Sequence, residues 1–270
     1  MNPSDAIVGL PFTKASACGN DFLLVEGAGA AGDLAEITRR MCDRHRGVGA
    51  DGVEWLFPDA QADVRARLIN ADGSEAEISG NGTRCVAADI CSRADRIEPK
   101  TEVIVRTGAG LKTCRLVARR GFTFEFETDM GRPDVAGQLA IETDRGRVQG
   151  MNVSMGNPHF VIFVEEFPDG WQRQAASIGQ QPQFPQGTNV EYVVSRGGHE
   201  IEIRLFERGA GETESSGTGS CAAAVGAIAS GRVASPVKVI APGGPQTVRW
   251  ENQVYLQGPA TLVCRGEFFV

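Results

Sequence analysis

The sequence predicts an α+β protein of two similar lobes, each a mostly antiparallel sheet with a helix of small residues. Two observations carry this. Gly19-Asn20 opens the run Gly-Asn-Asp-Phe-Leu-Leu-Val, and Gly156-Asn157 opens Gly-Asn-Pro-His-Phe-Val-Ile-Phe-Val, 137 residues later. Ser79-Gly80-Asn81-Gly82 and Ser216-Gly217-Thr218-Gly219, each followed by a Cys and an Ala-rich stretch, stand at the same offset. Two matches at one spacing, close to half the chain, indicate an internal duplication of whole domains, since short-period repeats are the mark of solenoids.

The elements follow in order. Apolar runs after each Gly-Asn pair read as strands, Phe22 to Val25 and Phe160 to Val164. An apolar stripe of Leu34, Ile37 and Met41 predicts a helix over Asp33 to Arg44. Val53 to Phe57 reads as a strand. Each Gly-rich turn leads into a small-residue helix, about Thr83 to Ala94 and about Cys221 to Ser230, which Ala and Gly allow to sit in a tight, strand-lined space. Further strands are expected at Glu102 to Arg106, Phe122 to Thr128, Glu200 to Phe206 and Pro236 to Ile240, the alternating ones suggesting antiparallel pairing. The domains are expected to span residues 1–129, completed by 259–270, and residues 130–258.

The chain has 270 residues, enough for two modest cores, and 41% are apolar. A net charge of −7 argues against general binding of nucleic acid or of an anionic membrane. The stretch Met1 to Lys14 lacks the pattern of a secretory signal, and no apolar run approaches the roughly 18 to 20 residues of a membrane span. Seven scattered cysteines without a Cys-x-x-Cys argue against a disulfide framework or zinc site and favour a reduced, cytoplasmic setting. Three histidines, His45, His159 and His199, make no convincing metal set. Gly47-Val-Gly-Ala-Asp-Gly52 fits a dinucleotide-binding pattern in letters, but a helix precedes it and a strand follows, so it reads as a turn. Trp55, Trp171 and Trp250 read as packing residues.

The candidate site lies at the two Gly-rich turns. The first N–H groups of a helix lack internal partners and carry partial positive charge. Glycine lets a ligand approach them. One such turn is usually only an N-cap. Two related by duplication could hold a carboxylate in a cleft, its α-carbon between Ser79 and Ser216. One group would remove the α-proton and the other return a proton to the opposite face. Glu207-Arg208-Gly-Ala-Gly-Glu212-Thr213 precedes the second turn, and Glu207 stands in the repeat where Asn70 stands in the first half. Glu207 and Arg208 would otherwise read as a surface ion pair.

With these residues in place the chain resembles the diaminopimelate epimerase family. The matching elements are Gly19-Asn20-Asp21-Phe22, Asn70-Ala-Asp-Gly-Ser-Glu75, Gly80-Asn81-Gly82, Met155-Gly-Asn-Pro-His159, Asn189-Val190, Glu207-Arg208-Gly-Ala-Gly-Glu-Thr213 and Gly217-Thr-Gly-x-Cys-Ala222. The resemblance implies two lobes, each a barrel-like antiparallel sheet around a central helix. It implies inversion of an amino-acid α-carbon, converting LL- to meso-diaminopimelate on the lysine and peptidoglycan precursor route, with no cofactor and no metal. It implies that backbone at Gly80, Asn81, Gly217 and Thr218 holds the reacting carboxylate. Asn20, Asn70, Asn157, Asn189, Glu207 and Arg208 would hold the rest of the substrate. A cytoplasmic homodimer acting on a small amino acid is expected.

One departure bears on the chemistry. The family carries a cysteine before each Gly-x-Gly, and those thiols are its acid and base; here the positions are Ser79 and Ser216. Cys85 and Cys221 sit further along each helix and are expected to pack inside. A serine hydroxyl needs a neighbouring base to act, and His159 or Glu207 could supply one on one side, with none comparable read near Ser79. The chain is therefore expected to epimerise poorly as it stands. Three explanations stay open: serines introduced to hold substrate without turnover, an altered chemistry such as a related isomerisation, racemisation or dehydration of another amino acid, or binding without catalysis.

Overall fold

The computed structural model describes residues 9–30, 32–93, 100–143 and 146–270. The chain divides into two compact units, Met1–Glu127 with Pro259–Val270, and Thr128–Gly258.

The first unit runs β1 (Gly9–Ala17), β2 (Asn20–Glu26), α1 (Leu34–Cys42), β3 (Gly52–Phe57), β4 (Val64–Asn70), β5 (Glu75–Ala76), α2 (Gly80–Arg93), β6 (Glu102–Thr107), β7 (Gly110–Arg120) and most of β8 (Thr123–Gly131). The second runs β9 (Asp134–Thr143), β10 (Gly146–Ser154), β11 (Pro158–Phe163), α3 (Trp171–Gly179), β12 (Asn189–Gly197), β13 (Glu200–Glu207), β14 (Gly211–Thr213), α4 (Gly217–Ala229), β15 (Val237–Ala241) and β16 (Gly244–Trp250). The last strand, β17 (Val254–Phe269), begins in the second unit and ends in the first, where it pairs antiparallel with β1.

Taken separately, the two units have the same internal wiring. Parallel pairs β2–β3 and β4–β6 in the first correspond to β11–β12 and β13–β15 in the second. The antiparallel pairs β1–β2, β3–β4, β4–β5 and β6–β7 correspond to β10–β11, β12–β13, β13–β14 and β15–β16. Register matches as well: Phe22 faces Gly52 across β2–β3, and His159 faces Asn189 across β11–β12, each 137 residues on. The expected α+β class with mostly antiparallel pairing holds.

In each unit the sheet wraps a helix whose small side chains make it buried on nearly every side. On α4 the run from Gly219 to Ala227 is wholly buried, and it packs with Val161, Val193, Ile203 and Val239. On α2 the buried run extends from Asn81 to Asp89 and joins Leu24, Leu68, Val103 and Phe126. A helix in such a space needs Ala and Gly, because larger residues would overpack it. Gly226 illustrates the fit: a methyl group there would lie 3.3 Å from Val161. Cys85 and Cys221 are buried on these helices.

Helix ends differ from the sequence expectation in informative ways. The first helix is shorter, Leu34–Cys42: Asp33 is its N-cap, accepting from Ala35 N at 2.9 Å, and Asp43 is its C-cap. Asp33→Ala is expected to cost about 1 kcal/mol, measured as a fall in the unfolding midpoint. Both small-residue helices begin three or four residues earlier than expected, at Gly80 and Gly217, since the glycines themselves form the first turn. Ala94, the expected end of the first of them, lies outside the described residues. Helix α3 was not expected, although Trp171, Ala175 and Ile178 carry a helical apolar stripe. Trp55 and Trp171 are core residues, as read. Among the described residues no helix is long and apolar enough to cross a membrane.

Candidate active site

Each unit carries its own serine turn. In the second, Ser216 is the N-cap of α4, and its Oγ accepts from Gly219 N at 3.3 Å. The hydroxyl proton goes to Glu207 Oε2 at 3.1 Å. Glu207 ends β13, and its other oxygen accepts from Thr213 Oγ1 at 2.8 Å across the β13–β14 hairpin. This fixes a carboxylate against a serine whose oxygen is already polarised by a backbone N–H, the arrangement of an activated hydroxyl.

Beside it, Asn157 Nδ2 donates to Thr218 Oγ1 at 3.4 Å, and Asn157 Oδ1 lies 3.0 Å from His159 Nε2. With that oxygen as acceptor, His159 carries its proton on Nε2. Nδ1 of the same ring lies 2.7 Å from Glu191 Oε1. His159 is 0% exposed and Glu191 1%. Burial pushes the Glu191 carboxyl up, and the imidazole beside it pulls it back. The pair locks the Asn157 amide in one orientation, and both ring nitrogens of His159 are engaged. Asn189 is likewise used locally: its Nδ2 donates to Pro158 O at 3.0 Å and its Oδ1 accepts from Arg208 N at 2.9 Å. It pins the Glu207-Arg208 corner. Arg208 Nη1 donates to Gln186 O at 2.8 Å, and its side chain lies along Gly187, where a methyl group would come within 2.9 Å of Cδ.

The first unit repeats the plan with other side chains. Ser79 Oγ accepts from Gly82 N at 3.0 Å, and Ser79 O accepts from Thr83 N at 2.8 Å. Gly80 faces open space where its side chain would be. Asn81 Nδ2 donates to Asn20 Oδ1 at 2.8 Å, and Asn20 Nδ2 to Asp51 Oδ2 at 3.0 Å. Asp51 in turn pairs with Arg44 at 2.8 Å. The buried Arg84 guanidinium donates to Asn81 Oδ1, which fixes that amide as His159 fixes Asn157. Asn70 Nδ2 donates to Ser74 Oγ at 3.1 Å, so the counterpart of Glu207 supplies no base to Ser79.

Near Ser79 lies a carboxyl that the sequence reading did not single out. Glu54 on β3 is 3% exposed and lies beneath the α2 turn: a methyl group on Gly82 would be 2.1 Å from Glu54 Oε1 and 3.2 Å from Ser79 Cβ. Its repeat mate is Glu191, whose Oε1 would lie 3.1 Å from a methyl group on Gly219. The signal was present in Gly52-Val-Glu54 and Asn189-Val-Glu191, again 137 residues apart.

The comparisons with known proteins decide the family. The diaminopimelate epimerase family model matches residues 12–135 and 151–263. The chain belongs to the diaminopimelate epimerase family. A diaminopimelate epimerase from Desulforudis audaxviator is 40% identical over 96% of this chain and 99% of its own length. One from Pelotomaculum thermopropionicum is 40% identical over 95% and 98%. Among solved structures, a probable proline racemase from Agrobacterium radiobacter K84 superposes with a TM-score of 0.71 at 17% identity, covering 97% of this chain and 93% of that one. A Bacillus anthracis protein of the PhzF family does so with 0.74 at 14%, covering 98% and 100%. At these identities the structures show the shared fold. Membership of the diaminopimelate epimerase family makes the chain an isomerase of the epimerase and racemase type.

Proposed function

We propose that this protein inverts the α-carbon of diaminopimelate by two-base proton transfer, without a cofactor, Ser79 serving one face and Ser216 the other. The observation that carries the reading is the Ser216 hydroxyl, held between Gly219 N as donor and Glu207 Oε2 as acceptor. It can pass its proton to Glu207 as it takes one from carbon, or the reverse. The N–H groups of Gly80, Asn81, Gly217 and Thr218 open α2 and α4 and suit a substrate carboxylate. Asn20, Asn70, Asn157, Asn189 and Arg208 are assigned to the rest of the substrate, Arg208 to its distal carboxylate. His159 acts through Asn157, whose amide it orients. Lysine is confined to Lys14, Lys100, Lys112 and Lys238, and no pyridoxal-phosphate lysine motif is recognisable. A cytoplasmic homodimer completes the reading.

The test is deuterium wash-in at the α-carbon, with inversion followed by chiral chromatography, using LL- and meso-diaminopimelate in heavy water. Wash-in with inversion is the expected result. Tight calorimetric binding with no wash-in would make the chain a binding homologue. Wash-in on another amino acid alone would overturn the substrate. Glu207→Gln is expected to lower kcat about a hundredfold, because removing a positioned base typically costs 10²–10⁴ in rate. An unchanged rate would remove Glu207 from the proton path.

A further inference from the structure

We propose that Glu54 is the proton acceptor behind Ser79: as Ser79 Oγ takes the α-proton of the substrate, the Ser79 hydroxyl proton passes to the Glu54 carboxylate. The inference rests on the reading of Ser79 as one of the two acid–base groups.

Three observations carry it. The carboxylate and the serine both crowd the space where a Gly82 side chain would stand, and a methyl group there would collide with Glu54 Oε1. Ser79 Oγ already accepts from Gly82 N, so its proton is the part left to give, and no side chain of β4 or β5 takes the role that Glu207 has for Ser216. Finally, Glu54 has no imidazole of its own. Its repeat mate Glu191 is bound to His159, but the position equivalent to His159 is Phe22. Among the described residues Glu54 has no hydrogen-bond partner and no ion pair, with Leu24 and Leu68 opposite it on β2 and β4.

A buried carboxyl without a partner destabilises a fold, and such groups concentrate where they are used. Burial pushes the pKa of Glu54 up to about 8, which suits proton exchange near neutral pH. The titratable group facing it from α2 is Cys85, whose thiol burial pushes far above its ordinary range. The Arg84 guanidinium on the same helix is directed to Asn81 and Cys18.

The transfer balances. The Cα–H bond breaks and leaves its electron pair on the α-carbon. Ser79 Oγ gains that proton as its original proton moves to Glu54, which ends neutral. On the other face Ser216 delivers its proton to carbon and is reprotonated from Glu207, which in this direction begins protonated and ends ionised. One proton has moved from Glu207 to Glu54, and exchange with water resets the pair.

The experiment measures deuterium wash-in separately from LL- and meso-diaminopimelate, for the full chain and for Ser79→Ala, Glu54→Gln, Glu54→Asp and Glu54→Leu. Each stereoisomer presents its proton to one serine. Glu54→Gln is expected to slow, about a hundredfold, the wash-in that Ser79→Ala also slows, while sparing the other. Glu54→Asp should restore part of it, and the limb of the kcat/KM pH profile near 8 should vanish in the Gln variant. Glu54→Leu removes the buried carboxyl, so it should remain folded and show the same one-sided loss. If Ser79→Ala abolishes wash-in while Glu54→Gln leaves both the rate and the pH profile intact, the role of Glu54 is overturned and that of Ser79 stands. If Ser79→Ala is itself without effect, the reading of Ser79 fails.

Discussion

Replacing Ser79 and Ser216 together by cysteine is expected to raise the rate of α-carbon inversion about a thousandfold. The argument is one of acidity. A thiol ionises near 8.5, whereas a hydroxyl with an acidity near that of water ionises about seven units higher. At about 1.4 kcal/mol per unit, the two differ by roughly 10 kcal/mol if the anion were fully formed. Only part of that charge develops when the proton leaves as it arrives, and Glu207 at 3.1 Å from Ser216 Oγ reduces the need further. About 4 kcal/mol of remaining advantage gives the expected factor. Both positions must change, because inversion needs a donor on one face and an acceptor on the other. A single cysteine should restore exchange chiefly from its own side. Initial rates of inversion and of wash-in for the four combinations provide the check. If the serine protein already inverts at the rate of the double variant, the serine–carboxylate pairs are sufficient catalysts, and the expectation of poor turnover is wrong.

What the sequence disclosed and what it withheld have physical causes. The duplication leaves its trace where glycine and asparagine are constrained by backbone geometry. Gly19 and Gly156, for example, have φ of 87° and 95°, a region that side chains with a Cβ avoid. Those positions gave the offset, and with it the paired strands and helices. The Ser216–Glu207 pair was also within reach, because both residues belong to one motif. Glu54 and Glu191 were not. In Gly-Val-Glu-Trp-Leu-Phe a single charge in an apolar run reads as a strand residue facing water. Its burial depends on the helix seated over the sheet, and on the glycine in that helix that makes room for a carboxylate. His159 was legible as a motif residue, but its engagement through both nitrogens depends on Glu191, on the neighbouring strand and 32 residues away.

Glu54→Leu is expected to stabilise the protein at pH 8 to 9 and to have little effect near pH 4. Folding raises the pKa of this carboxyl from 4.5 to about 8 by burying it. Its protonated form is therefore the one that folding favours. Below 4.5 the carboxyl is neutral in both states and carries no penalty. As pH rises from there toward 8, the unfolded chain releases the proton while the folded one keeps it, so stability falls. Above 8 the full loss is present, on the order of 3 to 5 kcal/mol at about 1.4 kcal/mol per unit. Glu191 titrates in the same direction, so the difference between the parent and the Leu variant, not the parent alone, isolates Glu54. Denaturant unfolding at pH 4.5, 6, 7 and 8.5 reads this difference as a midpoint gap that opens with pH. A gap of constant size would mean that leucine acts through packing. A variant less stable at pH 8.5 would mean that Glu54 is held by a partner that compensates its charge. Set beside a one-sided loss of exchange in the same variant, a widening gap would place the cost and the use of this carboxyl on one residue: a group that weakens the fold above neutral pH because the proton it exchanges is needed there.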